Sequence, residues 1–219
     1  MSESTDNYLK AIYSLSSKQA KGVSTSALSE KMNTKASSVT DMMVKLSERG
    51  LVKYERYRGA SLTSKGAKVA MSIVRRHRLW EVFLVDKLNF NWDEVHFIAE
   101  QLEHVESLEL TDRLEEFLGF PQFDPHGDPI PNKKGQLPKS VKLHSLDKLN
   151  PGQTAKLVAV DDSSDEFLQH LQRIDIKLGS EFAVINLYPF DQSIEILLRK
   201  KTITLSHRST QNMLVQILR

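Results

Sequence analysis

Five of the chain's seven prolines, Pro121, Pro125, Pro129, Pro131 and Pro138, fall between Gly119 and Val141, and no regular helix can run through that stretch. Each ring removes a backbone donor and biases the preceding residue away from helical angles. The chain is thereby cut into two parts of different periodicity. Upstream, apolar residues recur at helical spacing. Downstream, TAKLVAV, EFAVINL and SIEILLRKKTITL are β-rich and punctuated by Pro151-Gly152 and Gly179. The expected class is α+β: a helical front, a proline-rich linker over residues 121–143, and a small β barrel or sandwich over residues 144–219.

Charge divides the chain further. Residues 1–78 carry fifteen Lys and Arg against six Asp and Glu, residues 79–143 six against thirteen, and residues 144–219 nine against nine. The net charge of +2 hides a basic front suited to a polyanion and an acidic middle with carboxylates to spare for cations. Cysteine is absent, which excludes disulfides, thiolate metal sites and cysteine nucleophiles; any metal must be held by nitrogen and oxygen. The longest apolar runs are a few residues, and MSESTDNYLK lacks the apolar stretch of a secretory signal, so no membrane partner and a cytoplasmic location are expected.

The basic front has the pattern of a DNA reader. STSALSEKM (residues 24–32) reads as a short helix capped by Ser or Thr, Asn33-Thr34 breaks it, and a second helix is expected from Lys35 to about Arg49, ended by Gly50. Ala27, Leu28 and Met32 would pack on Val39, Met42 or Met43, and Leu46 across a tight turn, the form of a helix-turn-helix. Lys35, Ser37, Ser38 and Thr40 then stand at the exposed start of the second helix, where a major groove is read. LVKYERY, Arg58-Gly59 and ASLTSKG read as a hairpin followed by a Thr63 cap, which makes a wing bearing Arg56 and Arg58, with Lys53 near its base for phosphate contact. This domain is placed over residues 1–70.

Residues 71–120 read as a second, helical domain. His96, Glu100, Glu103 and His104 are spaced i, i+4, i+7 and i+8, which on one helix confines them to an arc of about 80 to 100 degrees. Val95, Ile98, Ala99, Leu102 and Val105 occupy a neighbouring apolar arc. On the preceding helix His77 and Glu81 stand one turn apart within a stripe of Ile73, Val74, Trp80, Leu84 and Val85. A buried carboxylate needs a compensating cation, and a metal shared between the two helices would supply it. Imidazole with carboxylate suits Mn²⁺, Fe²⁺, Co²⁺ or Zn²⁺, and the oxygen-rich, sulfur-free set favours Mn²⁺ or Fe²⁺.

YLKAIYSL, the helix-turn-helix and wing, RRHRLWE, EVHFIAEQLEHVES, DPHGDPIP, LGSEFAV and TITLSH together resemble the diphtheria toxin repressor family of iron- and manganese-dependent regulators, over essentially the whole chain. The resemblance implies an N-terminal winged helix-turn-helix, a helical dimerisation domain and a C-terminal SH3-like β domain. It also implies that His77, Glu81 and His96 form one metal site and Glu100, Glu103 and His104 most of another, with Glu166 an oxygen ligand from the β domain. Glu100 stands where the manganese type has glutamate and the iron type cysteine. Asn7, the candidate N-terminal ligand, stands where the types have aspartate and methionine. Lys10 replaces a manganese-type glutamate and cannot ligate while protonated; Asp6 is its acidic neighbour one helical position from Asn7, and Ser163 replaces another acidic ligand.

The expected function is therefore a non-enzymatic, homodimeric repressor that binds a double-stranded, palindromic operator when Mn²⁺ or Fe²⁺ is present, with Zn²⁺ or Co²⁺ as substitutes in vitro, and controls metal homeostasis genes. Dimer contacts are expected within residues 79–118. The competing readings are a winged-helix regulator that senses another ligand, a metalloenzyme, for which no HExxH arrangement is present, and a β-domain interaction module.

Overall fold

In the computed structural model, residues 2–16, 22–55, 58–139, 142–162 and 164–218 are described. The chain divides into two compact units. The first comprises residues 1–77, 100–113 and 131–136, the second residues 78–99, 114–130 and 137–219.

The amino-terminal unit opens with α1 (Glu3–Ser16), α2 (Thr25–Lys31) and α3 (Ala36–Glu48), followed by a hairpin of β1 (Val52–Glu55) and β2 (Gly59–Leu62) and then α4 (Ser64–Leu88). Ser24 caps α2 by accepting the Ala27 amide at 3.1 Å, and Asn33, at φ 45°, makes the turn into α3. Leu9, Ile12, Leu28, Val39, Met43, Leu46 and Ile73 are completely or almost completely buried in one core. Burial of each such side chain is worth roughly 1.5–3 kcal/mol, and together they fix α2 against α3. The hairpin is antiparallel from Val52↔Leu62 to Glu55↔Gly59, as expected. Thr63 caps α4 as expected: its hydroxyl accepts the Gly66 amide at 3.0 Å and donates to the Gly50 carbonyl at 2.8 Å.

α4, α5 (Val95–Leu102) and α6 (Leu108–Phe117) each contribute residues to both units. Within the second unit Leu79, Val82, Leu114 and Ile130 form one small core, and Leu84, Val95 and Ala99 another. The remainder is a six-stranded antiparallel sheet. Its strands are β3 (His144–Ser145), β4 (Thr154–Val160), β5 (Glu181–Tyr188), β6 (Ser193–Leu198), β7 (Lys201–Leu205) and β8 (Met213–Ile217), in the order β3-β8-β4-β5-β6-β7. A short 3₁₀ turn (Leu146–Lys148), α7 (Asp165–Arg173) and α8 (His207–Gln211) connect them. Alternation buries Ala155, Leu157, Phe182, Val184, Ile194 and Ile196 with Leu168 and Leu171 of α7.

One expectation is corrected. The helix carrying His96 and Glu100 ends at Leu102, so Glu103 and His104 lie in the following turn and do not continue its face. The reason is local: the Glu103 carbonyl accepts the buried Arg76 guanidinium at 2.6 Å, and Ser107 starts the next helix by accepting the Leu110 amide at 3.2 Å. Val105, expected in the packed arc, is exposed.

Gly66 sets the closest backbone approach in the first unit, because a Cβ there would stand 1.9 Å from the Leu51 carbonyl oxygen. Replacing it by alanine must push α4 away from the start of the hairpin. Gly66→Ala is expected to lower unfolding stability by about 1–3 kcal/mol, as overpacking does, read from the midpoint of a urea denaturation curve.

Candidate metal centre

The helix-turn-helix presents its expected face. Lys35 is the N-cap of α3, and Lys35, Ser37 and Ser38 are exposed. Thr40 is half-buried, and its hydroxyl donates to the Ala36 carbonyl at 3.0 Å while keeping its acceptor lone pairs. Lys53 is exposed on β1, and Arg58 on the wing pairs with Glu55 at 3.2 Å while both stay largely in solvent. Arg56 and Ser163 lie outside the described residues.

The predicted ligands do not gather as one helical face. In the amino-terminal unit Glu103, with no exposed surface, faces His77 Nδ1 at 2.6 Å and Lys10 Nζ at 2.8 Å through the same oxygen, Oε2. Lys10 also reaches Glu100 Oε1 at 3.2 Å, although Glu100 is nearly half exposed. Burial alone would push the Glu103 carboxyl up, but the His77 hydrogen bond and the Lys10 ammonium outweigh it and hold it below the usual range. Beside this group, His104 Nδ1 is 3.7 Å from Asp6 Oδ2, and His104 Nε2 is 3.8 Å from Glu3. Asp6 Oδ1 and His104 Nδ1 are buried, and among the described residues neither has a hydrogen-bond partner. Burial raises the Asp6 carboxyl. The buried N-terminal carboxylate beside His104 is thus Asp6, with the exposed Glu3 on the other ring nitrogen; Asn7 is half-buried.

In the second unit Glu81 is buried, and its two oxygens face different histidines: Oε1 is 3.1 Å from His96 Nδ1 and Oε2 is 3.7 Å from His126 Nδ1. Asp124 completes a buried group with Glu81 and His126 whose ligand atoms all lie within 4.8 Å of one another. Sequence reasoning missed Asp124 and His126. The available signal was DPHGDP, a histidine between acidic residues in a proline-braced loop.

That loop is built around one carboxylate. Asp124 Oδ1 accepts the amides of His126 at 2.8 Å and Asp128 at 3.0 Å, and Arg78 braces the loop through Asp124, Asp128 at 3.0 Å and the Pro129 carbonyl. Gly127, at φ 90°, is needed because a Cβ would stand 2.2 Å from the Val158 carbonyl oxygen. The His126 ring lies parallel to Trp92, and its Nε2 is 2.8 Å from the Trp92 carbonyl. A carbonyl only accepts, so Nε2 carries the hydrogen and Nδ1 is directed at the carboxylates. Burial would lower the His126 imidazole, but Glu81 and Asp124 raise it to about 9. Burial, with Glu81 and Asp128 nearby, raises Asp124 to about 7.

Two carboxylates and an imidazole nitrogen, buried and mutually within reach, fit a divalent ion of the manganese or iron kind. The bond from Nε2 to the Trp92 carbonyl is the usual way a ligating imidazole is oriented. Glu166, in the first turn of α7, is exposed and among the described residues belongs to no group of three ligand-type side chains.

Comparison with known proteins divides the chain into three regions. Residues 1–60 match the family described as iron dependent repressor, N-terminal DNA binding domain, and residues 63–132 its metal binding and dimerisation domain; residues 144–217 match the FeoA domain, an SH3-like β domain. A solved manganese-dependent transcriptional repressor in complex with manganese is 36% identical, with a TM-score of 0.85, covering 98% of this chain and 100% of its own. The iron-dependent repressor IdeR of Mycobacterium tuberculosis is 34% identical over 131 residues, 59% of this chain and 56% of its own length. A probable metal transport system membrane protein of Chlamydia trachomatis is 45% identical over 91 residues, 42% of this chain and 20% of its own. The chain therefore spans between a fifth and just over half of the first curated relatives it matches. Among the described residues no helix is long and apolar enough to cross a membrane.

Asp124 and His126 both hold their protons more tightly folded than unfolded, so their contribution is complete at low pH and is lost as pH rises. For His126 the window runs from its ordinary 6.5 to about 9. In chelated protein, the melting temperature is expected to fall across that window in the wild type and to fall less in His126→Gln; parallel profiles would show that the ring is not held by the carboxylates.

Proposed function

The chain belongs to the iron-dependent repressor family, and from that premise we propose that it is a homodimeric transcriptional repressor whose operator affinity is raised by Mn²⁺ or Fe²⁺. The observation that carries the reading is the buried Glu81–Asp124–His126 group in a chain that also presents a winged helix-turn-helix. The group directs two buried carboxylates and an imidazole nitrogen at one another, a donor set that a divalent ion would balance, and a winged front has little use without DNA.

In this reading His77, Glu81 and His96 form one set of ligands, supported by the one-turn spacing of His77 and Glu81 on α4 and by the contact of Glu81 with His96. Asp124 and His126 share Glu81 and supply the remaining donors. Glu100, Glu103 and His104, with Asp6 in place of Asn7, are assigned to the amino-terminal unit, where Lys10 competes for them. When bound, the ion supplies a divalent charge that several carboxylates and imidazoles share. Arg78 holds the Asp124 loop in register, Trp92 orients the His126 ring, and Arg76 fixes the turn carrying Glu103. If these groups adopt the ligand-competent arrangement only in the DNA-binding conformation, metal shifts the population towards it.

Lys35, Ser37, Ser38 and Thr40 face base edges and phosphates in the major groove, while Lys53 and Arg58 serve phosphates from the wing. A two-fold dimer would place its recognition helices in grooves about 34 Å apart or a multiple of that, which makes the operator palindromic. The site of action is the cytoplasm, and the genes controlled are those of metal uptake and homeostasis. We assign the chain no catalytic role, because the buried cluster shares its chain with a DNA-reading front.

The test begins with selection of bound sequences from a random duplex pool in Mn²⁺, followed by affinity measurement with and without chelator. Affinity is expected to drop at least tenfold, about 1.4 kcal/mol, on chelation; equal affinity would sink the metal-responsive reading. Arg58→Ala should weaken every duplex alike and reduce the salt slope by about 1.

A further inference from the structure

The fully buried Glu103 carboxylate is met on a single oxygen by His77 at 2.6 Å and Lys10 at 2.8 Å, and the same ammonium lies 3.2 Å from Glu100. Two carboxylates and an imidazole around one region of space form a donor set that a divalent ion would take. Here that region holds a positive charge covalently attached to α1. We propose that Lys10 is a tethered cation standing in place of a divalent ion between Glu100 and Glu103, so that α1 is fastened to residues 100–103 whether or not metal is present.

Several observations support it. Lys10 is only 19% exposed, so its ammonium is not a solvated surface charge that meets Glu103 in passing. Glu103 has no exposed surface and its backbone is held by Arg76 on its own carbonyl, so the carboxylate is balanced within the protein and not by water. The arrangement also uses the ammonium as such: its donors point at the oxygens through which a metal would bind, and two cations cannot share those lone pairs at such separations. Asp6, one helical turn before Lys10, is directed instead at His104, so a single face of α1 divides between a carboxylate turned to an imidazole and an amine turned to two carboxylates. Control by metal then rests with the Glu81 cluster.

The inference rests on the proposed function only in taking divalent metal to be what Glu100 and Glu103 would otherwise hold. Its test compares wild type, Lys10→Glu and Lys10→Gln. Each chelated protein is dialysed against Mn²⁺, and bound metal per chain is measured by elemental analysis, alongside amide hydrogen exchange of α1 in chelator. Lys10→Glu is expected to bind one more Mn²⁺ per chain than wild type. Without metal, both variants are expected to exchange the α1 amides faster by on the order of tenfold, because Glu103 is left unpaired. Mn²⁺ should restore protection in Lys10→Glu, whereas wild-type α1 is protected throughout. Equal metal counts with unchanged α1 exchange would overturn the tethered cation and leave the function reading intact. A wild type that binds no Mn²⁺ at all would instead overturn the metal-responsive function. Should Lys10→Glu not fold, loss of α1 protection in Lys10→Gln decides: loss supports the proposal, and wild-type protection refutes it.

Discussion

A carboxylate removed from water has to meet positive charge, and much of this chain's helical architecture is arranged around that requirement. It arises in both units. In the amino-terminal unit Glu103 finds Lys10 and a histidine within the protein itself. In the second unit Glu81 and Asp124 face His126 and the flank of Arg78, with an imidazole nitrogen held toward the carboxylates by the carbonyl behind it. The first arrangement carries its own countercharge; the second is satisfied by a proton on His126 or by an ion from solution. A regulator that responds to metal needs a site of the second kind, because a permanently satisfied one has no free energy left to couple to concentration.

The two kinds of site are set by different parts of the covalent structure. Glu103 is held by a break in helical pairing, where the Arg76 side chain takes the carbonyl that the next turn would have used. Asp124 is held by a loop in which its own side chain replaces backbone partners, accepting two amides within four residues. Neither device depends on a regular element. Both give a buried acid a fixed direction, which an ion-binding group needs more than it needs proximity.

Periodicity made most of the fold legible in the sequence. The two short helices, the Ser24 and Thr63 caps, the wing and the β-rich rear follow from apolar spacing, turn residues and prolines, since those signals act over a few residues. The ligand region was harder to read. His96, Glu100, Glu103 and His104 fit one helical face on paper, but a helix end is decided by which distant side chain captures a carbonyl, and Arg76 lies twenty-seven positions away from Glu103. Asp124 and His126 stood in a stretch whose prolines argued only against helix. Their burial comes from contacts with Glu81 and Trp92, which no local pattern discloses. Lys10 looked like a missing ligand; its real partners appear only when α1 is folded.

The loop around His126 is stitched to the β region through backbone. The Val160 amide, at the end of β4, donates to the His126 carbonyl at 3.0 Å, and Gly127 lets the loop lie against Val158 and Ala159. The sheet can therefore matter to ion binding without donating a single ligand atom: it acts as a jig, and the exposed Glu166 need not reach the ion for the β region to be indispensable. A shortened chain that kept every ligand but lost β4 would keep the chemistry of the cluster and forfeit its geometry.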